Sequence, residues 1–479
     1  MSKFYIAIIC SLFLWSCIGQ SACIANLVEP ESECGVKIAS ETAAETADGN
    51  VSETHVEKVA ETSTYSLPEI DNALLEELVK LSKFNIHFHI EANHHQPWRQ
   101  LTYPAGREIG TALSFAATLT DLNEQAEGLS NPRLISRSKL KNATICGITG
   151  NAISGGASSL ELAQNTWVMM KAKRNGYSPA ASIEFVKDIV SKTDKLLTDR
   201  DRFAEQEPDT DRRQLRQLET ALVRRIRQQL LYEFATWSCH SRDQAWRENT
   251  FYALDAGQNF TRMGGAILAL RAFERPRLAR QAVIYSLVAN SLATVNPIVR
   301  NVTGVIVRKH QEKRIAKEIP MERPSALSLD DLKQKLALDG DPDFLKRVTA
   351  LTNRTQAMDT QLTHETREIE RFRQVAQQQS ISGPLIGLTG VTSSTLATIA
   401  VYGYPRDIDT ANKLGFAGRI TQGTGQAYAL INTPYTMVKG MIRNRRLKER
   451  GELPSQILKE RLQRLDALQA SVPASPRSR

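Results

Sequence analysis

Hydrophobic residues recur every three or four positions in two long stretches of the chain, the pattern of a helix with one buried face. The first stretch follows Pro208 and carries several arginines between its apolar positions. Those apolar positions are Leu215, Leu218, Leu222, Val223, Ile226, Leu230, Phe234 and Trp237. The second stretch covers 348–372, with a spacing close to a heptad that favours a partner helix. Both predict long amphipathic helices packed as antiparallel hairpins or a bundle.

Three other regions are rich in glycine, alanine, serine and threonine, and they begin near Ile109, Gly264 and Gly383. Glycine costs about 1 kcal/mol relative to alanine inside a helix, so several glycines in one helix need a packing reason. Small residues about four positions apart allow two helix backbones to touch. We therefore expect each region to form a tightly packed helical hairpin.

The three small-residue regions share an order of features. Residues 96–105 match 244–253, and the third copy is reduced to 372–374. Each copy then has a Pro-Arg pair, a polar interruption and a closing basic run. The pairs are Pro132-Arg133, Pro276-Arg277 and Pro405-Arg406, and the basic runs are 171–174, 308–314 and 439–450. The predicted fold class is mainly α, with long amphipathic helices bracing three repeated Gly/Ala-rich helical hairpins.

The N-terminus has the features of an export signal. Lys3 precedes an apolar stretch over 4–15, which has signal-peptide length and is short for a membrane span. Small residues follow, and they predict cleavage near Gly19 or Ala22. The alternatives are lipidation at Cys17, as in bacterial lipoproteins, or an uncleaved anchor. Trp15 departs from the lipoprotein pattern, which prefers smaller residues before the cysteine.

Composition divides the rest of the chain. Residues 23–69 are acidic and poor in large apolar groups, which predicts a disordered linker. We expect repeats over 70–207, 208–324 and 325–452, and a C-terminal helix with a disordered basic tail over 453–479. From residue 70 onward, 58 basic residues face 42 acidic ones. A basic body suits anionic lipid headgroups or nucleic acid, and export argues against nucleic acid.

Whether the small-residue helices enter a membrane is left open by hydropathy. Residues 383–402 carry no charge, whereas the first two repeats are interrupted by polar groups such as Asn151, Glu161 and Arg300. A charge at the centre of a spanning helix costs about 2.5–3.5 kcal/mol. We expect a soluble or surface-bound bundle. The alternative is joint insertion with polar groups facing inward and the tryptophans near the interface: Trp98, Trp167 and Trp246.

The densest set of ligand-type side chains lies just before the first hairpin. Histidines alternate with apolar residues there, which predicts a short strand and a metal set for zinc, copper or a similar transition metal. Its members are His87, His89, Glu91, His94 and His95. The simpler interpretation is a polar strand and turn that bind no cofactor.

No GxSxG, HExxH or Walker sequence occurs in the chain. We therefore expect a non-catalytic, exported protein of the bacterial cell envelope, periplasmic or membrane-associated, with a scaffolding or membrane-contact role. Its expected partners are a membrane surface with anionic lipids and further copies of itself or other envelope proteins. One alternative is an integral membrane oligomer or pore built from Gly-rich hairpins. A second is a metal-dependent enzyme that uses His87 and His89.

Overall fold

The fold is built from long helices. A computed structural model describes residues 66–92, 99–131, 135–321, 387–450 and 454–471, and no strand occurs in these ranges. All of them belong to the second of two units, Met1–Val59 and Ala60–Arg479. The helices are α1 Leu67–Ala92, α2 Arg99–Ser130, α3 Arg137–Arg174, α4 Pro179–Glu205, α5 Thr210–Ala272, α6 Leu278–Glu318, α7 387–403, α8 Ile408–Glu449 and α9 Pro454–Ser471. The mainly helical prediction is confirmed.

Local sequence sets where several helices begin and end. Ser178 caps α4, because its hydroxyl accepts the Ala181 N–H at 3.2 Å and Pro179 occupies the first turn. The Asp407 carboxylate caps α8 by accepting the Thr410 N–H at 3.1 Å. Gly176, at φ 81°, follows α3 in the left-handed conformation that glycine adopts without strain.

One part of the second unit has a large apolar core, and we call this part the head. It consists of α1, α4, residues 210–240 of α5, residues 308–318 of α6 with the following 319–321, and α9. Its largest buried side chains include Ile70, Leu78, Ile183, Leu230 and Phe234. The amphipathic helix predicted after Pro208 is therefore confirmed, since the same apolar face lies in this core. The heptad-like stretch at 348–372 lies outside the described residues.

Buried arginines tie the helices of the head together. Arg200 of α4 is almost fully buried, and its Nε donates to Asp71 Oδ1 at 2.7 Å. Its Nη2 donates to Glu219 Oε2 at 2.5 Å. Arg461 of α9 donates to Glu233 Oε1 at 2.5 Å. These pairs satisfy charges that would be costly to bury alone.

The remaining helices form a closed ring of six, which we call the ring. Its order is α2, α3, residues 241–272 of α5, residues 278–307 of α6, α7 and α8, and then α2 again. Ser158 of α3 meets Asp255 of α5, and Asn290 of α6 meets Ser394 of α7. Arg419 of α8 closes the ring through an ion pair with Asp121 of α2 at 2.9 Å.

The Pro-Arg breakers separate the helices of the ring as predicted. Pro276-Arg277 lies between α5 and α6, and Pro405-Arg406 lies between α7 and α8. Pro132-Arg133 lies outside the described residues, between the end of α2 and the start of α3.

Glycines allow α2 and α3 to touch backbone to backbone. A Cβ atom at Gly110 would lie 2.5 Å from the Gly150 carbonyl oxygen, and one at Gly150 would lie 2.6 Å from the Gly110 carbonyl oxygen. Real Cβ atoms do not approach a carbonyl oxygen so closely. The expectation that small residues permit close helix contact is therefore met at this crossing.

The strand predicted around the histidines is wrong, because α1 runs through Ala92 as a helix. Ile86 and Ile90 are one helical turn apart and both pack against α9. Alternation of histidine with apolar residues over so few positions also fits a helix whose buried face is wide.

The buried face of α1 predicts a pH dependence for the head. His89 packs on Trp237 with 3.7 Å between ring centroids, and burial, with the charge of His240, lowers its pKa to about 3. Below about pH 6.5, His89 is protonated in the unfolded chain but stays neutral in the folded head. The free energy of unfolding therefore falls as the pH falls. The loss is about 1.4 kcal/mol per pH unit.

Between pH 6.5 and pH 5 this one group should remove about 2 kcal/mol from the free energy of unfolding. The measurement is urea unfolding of the full chain at both pH values, for the wild type and for His89→Phe. The variant should lose less stability on acidification than the wild type. Equal losses in the two proteins would contradict this assignment.

Candidate functional site

The ring buries polar side chains where a soluble bundle would bury large apolar ones. In α3 the buried residues are Ala143, Gly150, Asn151, Ser154, Gly155, Ser158, Glu161 and Asn165. In α6, within the ring, they are Ala282, Ala289, Asn290, Asn296 and Gly304. The head has a core of leucine, isoleucine, valine and phenylalanine, whereas the buried residues of these ring helices are small or polar.

The outward face of the ring is apolar. On α6, five exposed side chains recur at steps of four or seven and so form one stripe: Ile284, Val288, Val295, Val302 and Ile306. At about 1.5 Å per residue, this stripe is about 33 Å long, close to the roughly 30 Å hydrocarbon thickness of a bilayer. On α8 the exposed set includes Ile420, Tyr428, Ile431, Tyr435 and Val438.

Uncharged or nearly uncharged stretches of 12 to 29 residues occur on five of the six ring helices. Residues 109–120, 281–299, 387–403 and 420–438 contain no Asp, Glu, Lys or Arg, and 142–170 contains only Glu161, which is buried. Among the described helices, only α6 is long and apolar enough to qualify as a membrane span on length and composition. The other described helices are too short or too polar on average.

Aromatic and basic side chains mark the two ends of the apolar surface. Trp167 and Trp246 are 62% and 42% exposed and lie near the head, where the basic runs 171–174 and 308–314 also begin. Tyr285, Tyr402 and Tyr404 are exposed at the opposite end, near the Pro-Arg breakers. This is the distribution found at the two interfaces of a membrane protein. Trp98 lies outside the described residues.

A polar network joins α2, α3 and α5 inside the ring. Asp255 is 1% exposed and is its centre. The hydroxyls of Ser158 and Tyr103 donate to Asp255 Oδ2 at 2.6 and 3.1 Å, and Gln258 Nε2 donates to Oδ1 at 2.9 Å. Arg107 Nη1 lies 3.3 Å from Asp255 Oδ1 and donates to the Tyr103 oxygen at 2.6 Å. This network pairs one buried carboxylate with one guanidinium.

A second network joins α5, α6 and α7. Arg262 Nη2 donates to Asn290 Oδ1 at 2.6 Å. Asn290 Nδ2 in turn donates to Ser394 Oγ at 2.6 Å and to the Gly390 carbonyl at 3.0 Å. The hydroxyls of Ser286 and Ser394 are 3.1 Å apart. One guanidinium and a group of neutral polar atoms therefore face each other across three helices.

A third arginine lies further towards the head. The Arg300 guanidinium lies 5.4 Å from the centre of the Phe251 ring, and the Arg107 guanidinium lies 5.8 Å from the same centre. Arg300 Nε is buried with no hydrogen-bond partner in the described structure, as are Gln258 Oε1 and Asn296 Oδ1. Buried polar atoms of this kind normally bond to water or to a ligand.

The predicted metal set is only partly placed. His87 is exposed, while His89 faces Trp237, and on a helix two residues apart point in different directions. His87 and Glu91 are one turn apart, and His94 and His95 lie outside the described residues. No group of three or more His, Cys, Asp or Glu suited to a metal occurs within the described ranges. The full set stays a prediction.

The interior arginine networks were not found from the sequence. Arg107, Arg262 and Arg300 are separated by up to 193 positions and share no motif. The sequence offers one indication of an interior charge, because Arg300 interrupts an otherwise uncharged stretch of α6. The chain matches no protein-family model, and no curated protein and no solved structure is significantly similar to it.

Proposed function

We propose that this is an integral membrane protein whose ring spans the bilayer and whose polar interior binds or passes a polar solute. The observation that carries the proposal is the reversal of polarity in the ring, with polar groups buried and an uncharged apolar surface outside. Such a surface is stable against lipid tails, and inward-facing polar groups in membrane helices mark binding sites or pathways. Buried polar atoms without partners, such as Asn296 Oδ1, support a solvated or liganded interior.

The proline positions support the same proposal. Pro297 lies inside α6 and Pro434 lies inside α8. Proline inside a water-exposed helix costs about 3 kcal/mol, whereas membrane helices tolerate it because neighbouring groups satisfy the freed backbone atoms. Beside Pro297, Asn296 Nδ2 donates to the Phe251 carbonyl at 3.3 Å, so a polar contact joins α5 and α6 next to the proline.

This proposal takes up the integral-membrane alternative in place of the surface-bound scaffold, and the other predictions stay expectations. The signal peptide, the acidic linker and lipidation at Cys17 concern residues outside the described ranges. An envelope location, contact of the basic runs with anionic headgroups, and self-association stay expectations. We also propose that the three hairpins (α2–α3, α5–α6 and α7–α8) are copies of one repeat. Their common order of small-residue helix, Pro-Arg breaker and basic run supports this.

Carbonate washing of membranes tests the proposal. The full chain carries Cys17→Ala, to prevent lipidation, and a protease site within residues 40–50. After cleavage, the body from residue 51 onward should remain in the carbonate-washed membrane pellet, because the ring itself anchors it. Its release into the supernatant would instead support the surface-bound scaffold.

A further inference from the structure

We infer that the interior of the ring binds small anions, with Arg262 and Arg300 as two contact positions on either side of the Arg107–Asp255 pair. This inference rests on the proposed function and names its ligand class. The anions that fit are small carboxylates or phosphates, because a guanidinium presents paired N–H donors that match their oxygens.

The charge partners of Arg107, Arg262 and Arg300 lead to this ligand class. Arg107 forms an ion pair with Asp255. Within the described part of the chain, neither Arg262 nor Arg300 forms an ion pair with a carboxylate. Asp255 acts on Arg262, and Glu248 acts on Arg300, only through space. Both side chains are half-buried, and a charge that is partly removed from water without a direct counterion is costly.

The groups around Arg262 suit an anion. Its Nη2 is held by Asn290, which leaves its other N–H groups available. The Ser286 and Ser394 hydroxyls lie on the same Asn290 network and can turn to donate. At this level of the ring, none of the residues named in the network is acidic.

The groups around Arg300 differ from those around Arg262, but they also leave a positive charge without a direct counterion. Its guanidinium lies over Phe251, which fixes its position without neutralising it, and its Nε is buried without a partner. Phe251 precedes Arg262 by eleven residues on α5, which is about 16 Å along the helix. An anion moving through the ring would therefore meet two positive positions with a neutralised pair between them.

The test uses the purified full chain in lipid nanodiscs, with inorganic phosphate and succinate as probes. Binding is measured as the shift of the thermal unfolding midpoint with anion concentration. The variants are Arg262→Gln and Arg300→Gln. The matched control is Arg271→Gln, which removes the same charge from an exposed position on α5. Each interior variant should raise the apparent dissociation constant about tenfold or more, while the control stays within about twofold of the wild type.

Without added anion, both interior variants should be as stable as the wild type or more stable, because they remove an uncompensated charge. Arg262→Lys keeps the charge but loses the paired donors, so it should bind more weakly than the wild type and more tightly than Arg262→Gln. If a glutamine variant does not fold, the comparison of Arg262→Lys with the wild type still tests the inference.

Three outcomes would overturn the inference. One is no stabilisation of the wild type by either anion. Another is equal binding by wild type, Arg262→Gln and Arg300→Gln. The third is an equal loss of binding in Arg271→Gln, because that indicates a general charge effect. If the ring resists carbonate washing but binds no anion, this inference fails and the proposed function stands. Release by carbonate removes the proposed function itself.

Discussion

Replacing Val295 with arginine should lower the stability of the ring in a bilayer by about 2.5–3.5 kcal/mol and reduce the protein recovered in carbonate-washed membranes. Val295 is 44% exposed and lies at the middle of the outward stripe of α6. If this stripe faces lipid, the new charge has no counterion and little access to water. If it faced water instead, a surface substitution of this kind would change stability by no more than about 0.5 kcal/mol.

The control for Val295→Arg is Phe185→Arg. Phe185 is similarly exposed, at 40%, but it belongs to α4 in the head. Loss of the contact between the Phe185 and Phe84 rings, whose centroids are 4.3 Å apart, should cost about 0.5–1.5 kcal/mol there, and membrane recovery should be unaffected. Equal behaviour of the two variants, whether both mild or both severe, would contradict a lipid-facing ring. The readouts are thermal unfolding in nanodiscs and the fraction of protein in the washed pellet.

The second large effect is expected at the crossing of α2 and α3. Gly110→Ala should destabilise the ring by about 1–3 kcal/mol, the usual range for overpacking. The added Cβ would lie 2.5 Å from the Gly150 carbonyl oxygen, and because that atom belongs to the backbone, the two helices must move apart. Thermal unfolding of the full chain in nanodiscs measures the change.

Gly156→Ala is the matched control for this crossing. Gly156 lies on α3 with nothing within 4 Å of the place a Cβ would take. Alanine should therefore stabilise the helix there, by at most about 1 kcal/mol. A stability loss in Gly110→Ala together with a gain in Gly156→Ala would show that close backbone contact, and not helix propensity, determines the effect at Gly110. A stabilising Gly110→Ala would show that α2 and α3 do not touch as described.

Much of the secondary structure could be predicted from the sequence, because periodicity and breakers act locally. The helix after Pro208 and the breaks at Pro276-Arg277 and Pro405-Arg406 are confirmed on this basis. The strand around His87 and His89 was wrong because a short alternating pattern cannot distinguish a strand from a helix with a wide apolar face.

The order of helices in the ring could not be predicted in the same way. The contacts of Ser158 with Asp255 and of Arg419 with Asp121 join helices from different hairpins. Nothing in the spacing of a single helix specifies such a partner. The positions of the interior arginines depend on these contacts between helices. The candidate site therefore cannot be predicted from the sequence alone.

Hydropathy alone favoured a surface-bound bundle for a physical reason. A window average combines the two faces of a helix, and in α3 the buried Asn151 and Glu161 offset the exposed Ile145 and Leu160. The average is then low even though the outward face is apolar. Only the division of residues between inside and outside identifies a surface suited to lipid.

The most direct test of a lipid-facing ring is to identify what touches Val295. Benzoyl-phenylalanine placed there in the full chain, and irradiated in native membranes, should yield a phospholipid adduct detectable by mass spectrometry. The same probe at Phe185 of the head should give no lipid adduct. Cross-links from position 295 to protein, either to residues 322–386 of the same chain or to a second copy, without any lipid adduct, would contradict the account.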